Sequence, residues 1–252
     1  MPEFSDPKRR VVVSVDMESY SRRSNALQYR AQQDFRRIMD EAAAELGVDR
    51  PTWLQQQAGD GELAILPPDA SERALVGNLT PTLDRMLRQY NLGRSEDGRI
   101  RLRVAVHQGL VHLDGANGYP GEAVVTVCRL IDSPVLKDAL KRRFPRANVV
   151  LMVSDPIYAD VVRHYQDLRP DLFQEVLAEL TEKDFAQPAW LYVPHENAAS
   201  GDAPEHSAAP RQPQPSAAAA ESQPTQMFRD IRTEGPAVFG NHNTQNNRGS
   251  WR

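Results

Sequence analysis

Apolar residues recur along this chain with three different periods, and each predicts a different element. Val11-Val12-Val13-Ser14-Val15 is a nearly unbroken run that stops on Asp16, the pattern of a buried central strand that delivers one carboxylate to a sheet edge. Leu27, Ala31, Phe35, Ile38, Ala42 and Leu46 return every three or four residues, which predicts an amphipathic helix over 25–46, opened by Ser24 and stopped by Gly47. Leu75, Leu79, Leu83 and Leu87 mark a second helix from Ser71, with a kink expected at Pro81. Ile100, Leu102, Val104 and Val106 alternate with arginines as a half-buried strand; Gly109 is expected to turn it, so that 110–113 return as a partner. Asp60-Gly61 between apolar flanks predicts a hairpin of residues 52–58 and 61–66. Beyond the glycine-rich stretch 114–121, helices are expected over 122–131, 135–144 and 156–165, and strands over 149–153, 175–180 and 189–193. Together these predict an α/β (α+β) sandwich with a mixed or antiparallel sheet and flanking helices.

Composition narrows the class. The 252 residues are 40% hydrophobic, enough for a substantial core, but the apolar residues thin out after Pro194. A formal charge of -4 is too slight for a dedicated polyanion binder, so neither DNA nor RNA is expected as a partner, although Arg99, Arg101 and Arg103 are placed to meet phosphates locally or to form a solvated sheet face. The single cysteine, Cys128, excludes an intramolecular disulfide and suits a reducing compartment. No stretch approaches the ~20 apolar residues of a membrane span, and the early run ends too soon at Asp16 to be a signal peptide. The expectation is a cytoplasmic protein.

Two readings of the acidic strand ends stay open on spacing alone. If the strands carrying Asp16 and Asp60 are neighbours, their carboxylates converge on a hard divalent ion that keeps waters and takes phosphate oxygens, magnesium rather than zinc. Otherwise Asp16 caps the following helix and Asp60 is a turn residue. The backbone amides of Met17-Glu18-Ser19-Tyr20-Ser21 offer a cradle for a triphosphate in the first case and a plain connection in the second. His107, at a strand end, reads as a hydrogen-bonded structural residue.

Taken together, residues 9–193 resemble the catalytic domain of class III adenylyl and guanylyl cyclases. The family's Asp-Ile-x-x-Phe-Thr is similar to Asp16-Met17-Glu18-Ser19-Tyr20-Ser21, its Gly-Asp hairpin to Gly59-Asp60-Gly61, and its Ile-His-x-Gly to Val106-His107-Gln108-Gly109. Its Gly-x-x-Val-Asn-x-x-x-Arg helix is similar to the stretch from Gly121 to Arg129, and Lys183, Pro188 and Tyr192 are similar to its closing hairpin. The resemblance implies a ferredoxin-like core and a head-to-tail homodimer. It implies two Mg²⁺ (or Mn²⁺) ions held by Asp16 and Asp60 on an NTP, with Met17, Ser19, Tyr20, Ser21 and Gln56 at the nucleotide and Arg129 and Lys183 in catalysis. The expected activity is that of a nucleotidyl cyclase, a phosphorus–oxygen lyase. Gln56 stands where the family has a purine-selecting lysine, Gly118 where it has that lysine's aspartate, and Val125 where it has a transition-state asparagine. In these departures the domain resembles the divergent pyrimidine cyclases of bacterial anti-phage defence, and it equally fits a degenerate cyclase that senses a nucleotide without turning it over.

The remainder of the chain divides into 195–225, rich in Ala, Pro, Ser, Gln and Glu and expected to be a disordered linker, and 226–252. Val238-Phe239-Gly240-Asn241-His242-Asn243-Thr244-Gln245 resembles the core of the RIP homotypic interaction motif and its bacterial amyloid-signalling counterparts, which implies homotypic tail partners. Amide side chains on a β-prone, proline-free segment can ladder between strands about 4.8 Å apart. A peptide of residues 234–252 is therefore expected to give cross-β diffraction and a thioflavin signal, and Gly240→Pro in the full protein to abolish clustering; a monomeric peptide at high concentration would refute the motif.

Overall fold

The computed structural model describes residues 5–196; the linker and tail assignments from residue 197 onward lie outside them. Within this span, β1 (Lys8–Met17) is the spine of a seven-stranded sheet. It is followed by α1 (Asn25–Glu45), the hairpin β2 (Leu54–Ala58) and β3 (Gly61–Ile65), and two short helices, α2 (Glu72–Ala74) and α3 (Thr80–Asn91). Next come β4 (Leu102–Val111), α4 (Glu122–Asp132), α5 (Pro134–Asp138), β5 (Val149–Ser154), α6 (Asp155–Asp160), β6 (Gln174–Leu180) and β7 (Phe185–Tyr192). The strand order is β2-β3-β1-β4-β5-β7-β6, antiparallel except for the parallel pair β4–β5.

Alternation along β1 divides the core. Val11, Val13, Val15 and Met17 join α1 and α3 on one face, packing with Phe35, Ile38, Leu83 and Leu87. Val12 faces the other way, against Val127 and Leu130 of α4 and Leu136 of α5. This two-sided burial explains why β1 is an unbroken apolar run. Among the described residues no helix is long and apolar enough to cross a membrane.

Several elements depart from the expectation. Gly109 does not turn the fourth strand: β4 continues to Val111, paired with β1 as far as Lys8↔Val111. Its glycine serves close packing instead, since a Cβ there would lie 2.9 Å from the Cβ of Ala123 on α4. The leucine helix is not kinked at Pro81, which sits in the first turn of α3; the irregularity is a π-helical turn, Leu75–Leu79. The helix expected over 135–144 likewise passes into a π turn, Ala139–Arg143, and the one expected over 156–165 stops at Asp160 and gives way to single 3₁₀ turns. Strand β7 begins at Phe185, earlier than the apolar pattern indicated, because Pro188 stands beyond the end of β5, where no ladder bond from its nitrogen is required.

One buried ion pair sits beneath the hairpin. Arg50 donates through both terminal nitrogens to the Glu62 carboxylate at 2.7 and 2.6 Å, and through Nε to Asp40 of α1 at 2.5 Å. Both Arg50 and Glu62 are almost fully buried. Glu62→Gln strips the partner's charge and is expected to cost about 3–5 kcal/mol in chemical denaturation, whereas replacing both residues with apolar ones of similar volume is expected to cost far less. A Glu62→Gln loss no greater than that of the apolar pair would show that an uncompensated Arg50 charge is not what the single change exposes.

Candidate active site

The register of β1 brings three residues into a row. Asp16 lies opposite Gly61 of β3 on one side and Arg103 of β4 on the other. Gly61 is obligatory: a Cβ there would fall 2.0 Å from the Val15 carbonyl oxygen, so the turn carrying Asp60 can close on β1 only without a side chain. The Met17 N–H then donates to the Asp60 carbonyl at 2.8 Å, locking the hairpin tip to the end of β1. Asp60, in the turn before β3, is thus brought beside the end of β1, near enough for its charge to act on Asp16.

Asp16 is not bare. Arg103 donates to both carboxylate oxygens, Nε to Oδ1 and Nη2 to Oδ2, each at 2.7 Å. Burial nevertheless holds the Asp16 carboxyl above the ordinary carboxylate value; the Arg103 fork and the more distant Lys137 pull it down, and Asp60 adds to the rise. One residue beyond the strand, Glu18 is held by Arg101 at 2.7 Å. Arg101 also donates to the carbonyls of Ala147 and Phe144 at 2.8 and 3.0 Å and to that of Leu140. Arg101 and Arg103 are therefore fixed, half-buried partners of carboxylates and carbonyls and not a solvated face. Alternating arginines read in sequence as surface; only the facing acids of β1 reveal the pairing.

The turn after β1 offers fewer amides than the sequence indicated. Met17 is buried in the core with its N–H committed to Asp60, and the Glu18 N–H donates to the Arg101 carbonyl at 2.9 Å. What remains for an anion is the tight turn at Ser19, Tyr20 and Ser21, where Ser19 takes the left-handed conformation at φ 57°. The Tyr20 hydroxyl accepts from Gln32 Nε2 at 2.8 Å, and the same nitrogen donates to the Gly59 carbonyl at 2.8 Å, tying this turn to the hairpin tip.

The other expected site residues form two further groups. Gln56 lies exposed on the edge strand β2, and Gly118 packs directly on it: a Cβ on Gly118 would stand 3.0 Å from Gln56 Oε1, at a φ of 95°. The two departures from the purine-selecting pair are thus neighbours. Arg129, on α4, stacks over the Phe185 ring at 5.5 Å, and Val125 is partly exposed on the same helix. Lys183 donates to Asp132 at 3.1 Å, and Lys137 reaches the other oxygen of Asp132 at 3.0 Å, beside a cavity of ~500 Å³. Lys137 links this group electrostatically to Asp16, a role that its place in sequence did not signal. His107 shares a 2.8 Å hydrogen bond with Ser154, and burial lowers its pKa, in keeping with a structural imidazole. Burial and Asp132 raise the Cys128 thiol, which leaves it a poor nucleophile.

No protein-family model and no curated protein matches the chain, but solved structures do. An adenylate/guanylate cyclase/hydrolase from Silicibacter pomeroyi superposes with a TM-score of 0.54 at 19% identity, over 76% of this chain and 100% of that one. The fold is that of class III cyclase catalytic domains. The catalytic core of a rhodopsin-guanylyl cyclase with converted specificity, in complex with ATPαS, aligns at 17% identity and a TM-score of 0.49, over 77% and 100% of the two chains. A bacterial light-regulated adenylyl cyclase aligns at 10% and 0.49, over 73% and 89%.

The Asp16–Asp60 donor set fits a hard divalent ion. It is oxygen-only, and magnesium is commonly held by one or two carboxylates with waters and phosphates completing its shell. Among the described residues there is no cluster of three metal-ligating side chains, so an all-protein cage is not available. A proton competes with the ion for Asp16. Because its pKa is raised, Mn²⁺ binding is expected to strengthen as the pH rises and to be lost on acidification at a pH above that of an ordinary aspartate. Water-proton relaxation titrations of wild type and Asp16→Asn test this; a variant that binds Mn²⁺ like wild type at neutral pH would remove Asp16 from the ion site.

Proposed function

We propose that this protein is a divergent, divalent-metal-dependent nucleotidyl cyclase that converts an NTP to a 3′,5′-cyclic nucleotide and pyrophosphate. The observation that carries the reading is the backbone bond that holds the Asp60 turn against the end of the doubly buried strand carrying Asp16, in a fold shared with cyclase domains. When bound, the ions supply charge neutralisation and lower the pKa of the attacking hydroxyl. The ribose 3′-oxygen forms a bond to the α-phosphorus, the bond from that phosphorus to the α,β-bridging oxygen breaks to release pyrophosphate, and the hydroxyl proton passes to solvent water. The chain's own contribution is placement. Arg103 orients Asp16, the Met17–Asp60 bond fixes the hairpin tip, and the turn at Ser19, Tyr20 and Ser21 presents backbone donors to the triphosphate.

In this reading Arg129 and Lys183 stabilise charge on the phosphates from the partner protomer of a head-to-tail homodimer. Their position on α4 and the β6–β7 turn, apart from the Asp60 hairpin, supports an interface site. Gln56 reads the base. Its amide both donates and accepts, and with Gly118 against it no acidic partner is available, which favours relaxed or pyrimidine selection over a purine rule. The setting is cytoplasmic bacterial immune-type signalling, with the tail clustering copies and raising the local concentration for dimerisation. The second reading, a nucleotide sensor or adaptor without turnover, is favoured by Val125, an aliphatic side chain that cannot donate a hydrogen bond.

Incubation with each NTP and Mg²⁺ or Mn²⁺ is expected to yield cyclic product and pyrophosphate, with UTP or CTP used at least as well as ATP. Asp16→Ala or Arg129→Ala is each expected to lower turnover by roughly 10²–10³-fold. Mixing the two inactive proteins is expected to restore part of it, because one composite site keeps all its groups. Absence of product with all four NTPs, alongside retained nucleotide binding, would establish the sensor; no rescue in a proven mixed dimer would refute the interface site.

A further inference from the structure

The arginines of the described chain fall into two populations. Arg50, Arg73, Arg101 and Arg103 exemplify those that meet a carboxylate. Arg22, Arg23, Arg94 and Arg99 are among the others, which meet none within ion-pair distance, and these four line one cleft of ~400 Å³. The cleft lies where β1 leaves the sheet and β4 and β5 begin, one rung beyond the Asp16–Arg103 pair along the same face. Its walls are the turn 18–23, the turn 94–101 and Pro145.

Three of the guanidinium groups are held in place by neutral acceptors. Arg23 Nη2 donates to the Arg99 carbonyl at 2.6 Å, Arg99 Nε to the Arg94 carbonyl at 3.2 Å, and Arg94 Nε to the Tyr90 carbonyl at 2.7 Å. Arg94 also lies 3.8 Å over the Tyr90 ring, whose hydroxyl is anchored to Asp34 at 2.8 Å. The turn itself is pinned by Asn91, whose side chain exchanges two 2.8 Å hydrogen bonds with the backbone of Ile100. A carbonyl occupies one of a guanidinium's five donors and leaves its charge uncompensated. Five arginines line the cleft against Glu18, Glu96 and Asp97, an excess of two positive charges, and Arg101 and Glu18 already satisfy each other. Partial burial lowers the pKa of Arg23, with Tyr90 and the Asp97 charge of the same cleft acting the other way.

We propose that this cleft is a second binding site, for a small phosphate-bearing ligand. Planar, pre-placed guanidinium forks match phosphate oxygens, and the ordering cost of the site is largely met before binding. The volume suits a pyrophosphate or a nucleoside phosphate. Because Glu18, Ser19 and Arg22 form one wall, a ligand here bears directly on the turn that follows Asp16. The proposal does not depend on the cyclase reading.

The probe is pyrophosphate, titrated calorimetrically into the full-length protein without divalent metal. Wild type is expected to bind it, and Asp16→Asn/Asp60→Asn to bind it within about threefold of wild type. Arg94→Ala/Arg99→Ala is expected to lose roughly tenfold or more in affinity through two missing charge-assisted contacts. Arg22→Glu, a change at an exposed side chain, is expected to weaken binding as well and guards against a folding artefact in the double variant. The proposal is overturned if wild type binds no pyrophosphate at millimolar concentration, if the arginine variants bind like wild type, or if Lys183→Ala alone abolishes binding, which would put the anion in the cavity beside Asp132.

Discussion

The register of β1 is the constraint on which the candidate site depends. Its residues are buried on both faces and paired on both edges, so a slip of one position would exchange the two apolar faces and turn Asp16 toward α1 and α3. That penalty fixes Asp16 opposite Gly61 and Arg103 together. The missing side chain at Gly61 then allows the hairpin tip to approach, and a single backbone hydrogen bond from Met17 to Asp60 completes the juxtaposition. The stiffness of the site comes from apolar packing remote from the carboxylates.

Electrostatics act against that packing. A carboxylate this buried disfavours its own charge, and the Arg103 fork is the local compensation. The same arrangement repeats at Glu18 with Arg101 and, beneath the hairpin, at Glu62 with Arg50. Three acids of one sheet end thus have a dedicated guanidinium each, while Asp60 is left to the hairpin tip. Under the proposed function, a cation would have to share Asp16 with Arg103, which already donates to both of its oxygens. On the opposite flank, Lys137 and Lys183 converge on Asp132, and Lys137 extends that positive field to Asp16.

Much of the fold was legible in residues alone. The apolar run ending on Asp16, the Asp-Gly hairpin and the helical periodicity of 25–46 are local signals, and the structure has β1, the β2–β3 hairpin and α1 where they indicate. The misassignments share one cause. Gly109 was read as a turn because glycine is a local breaker, yet its lack of a side chain is used by Ala123 of a helix that is adjacent only in three dimensions. The apolar pattern starts the last strand at Ala189, four residues late, because pairing with β6 alone, which carries β7 back to Phe185, leaves no apolar signal in the sequence.

The sequence by itself determined which residues are candidates for chemistry: the acids Asp16 and Asp60, the arginines of 99–103, the amide at Gln56 and the glycine at Gly118. Only the tertiary structure decided what each faces. Arg103 and Arg101 are ion-pair partners of Asp16 and Glu18, the amides of Met17 and Glu18 are already spent on backbone acceptors, and four other arginines share a cleft in which none of them ion-pairs with its acids. Periodicity encodes burial, which is a property of one segment. Pairing depends on the register between segments far apart in the chain, and that is set by the packing of the whole sheet.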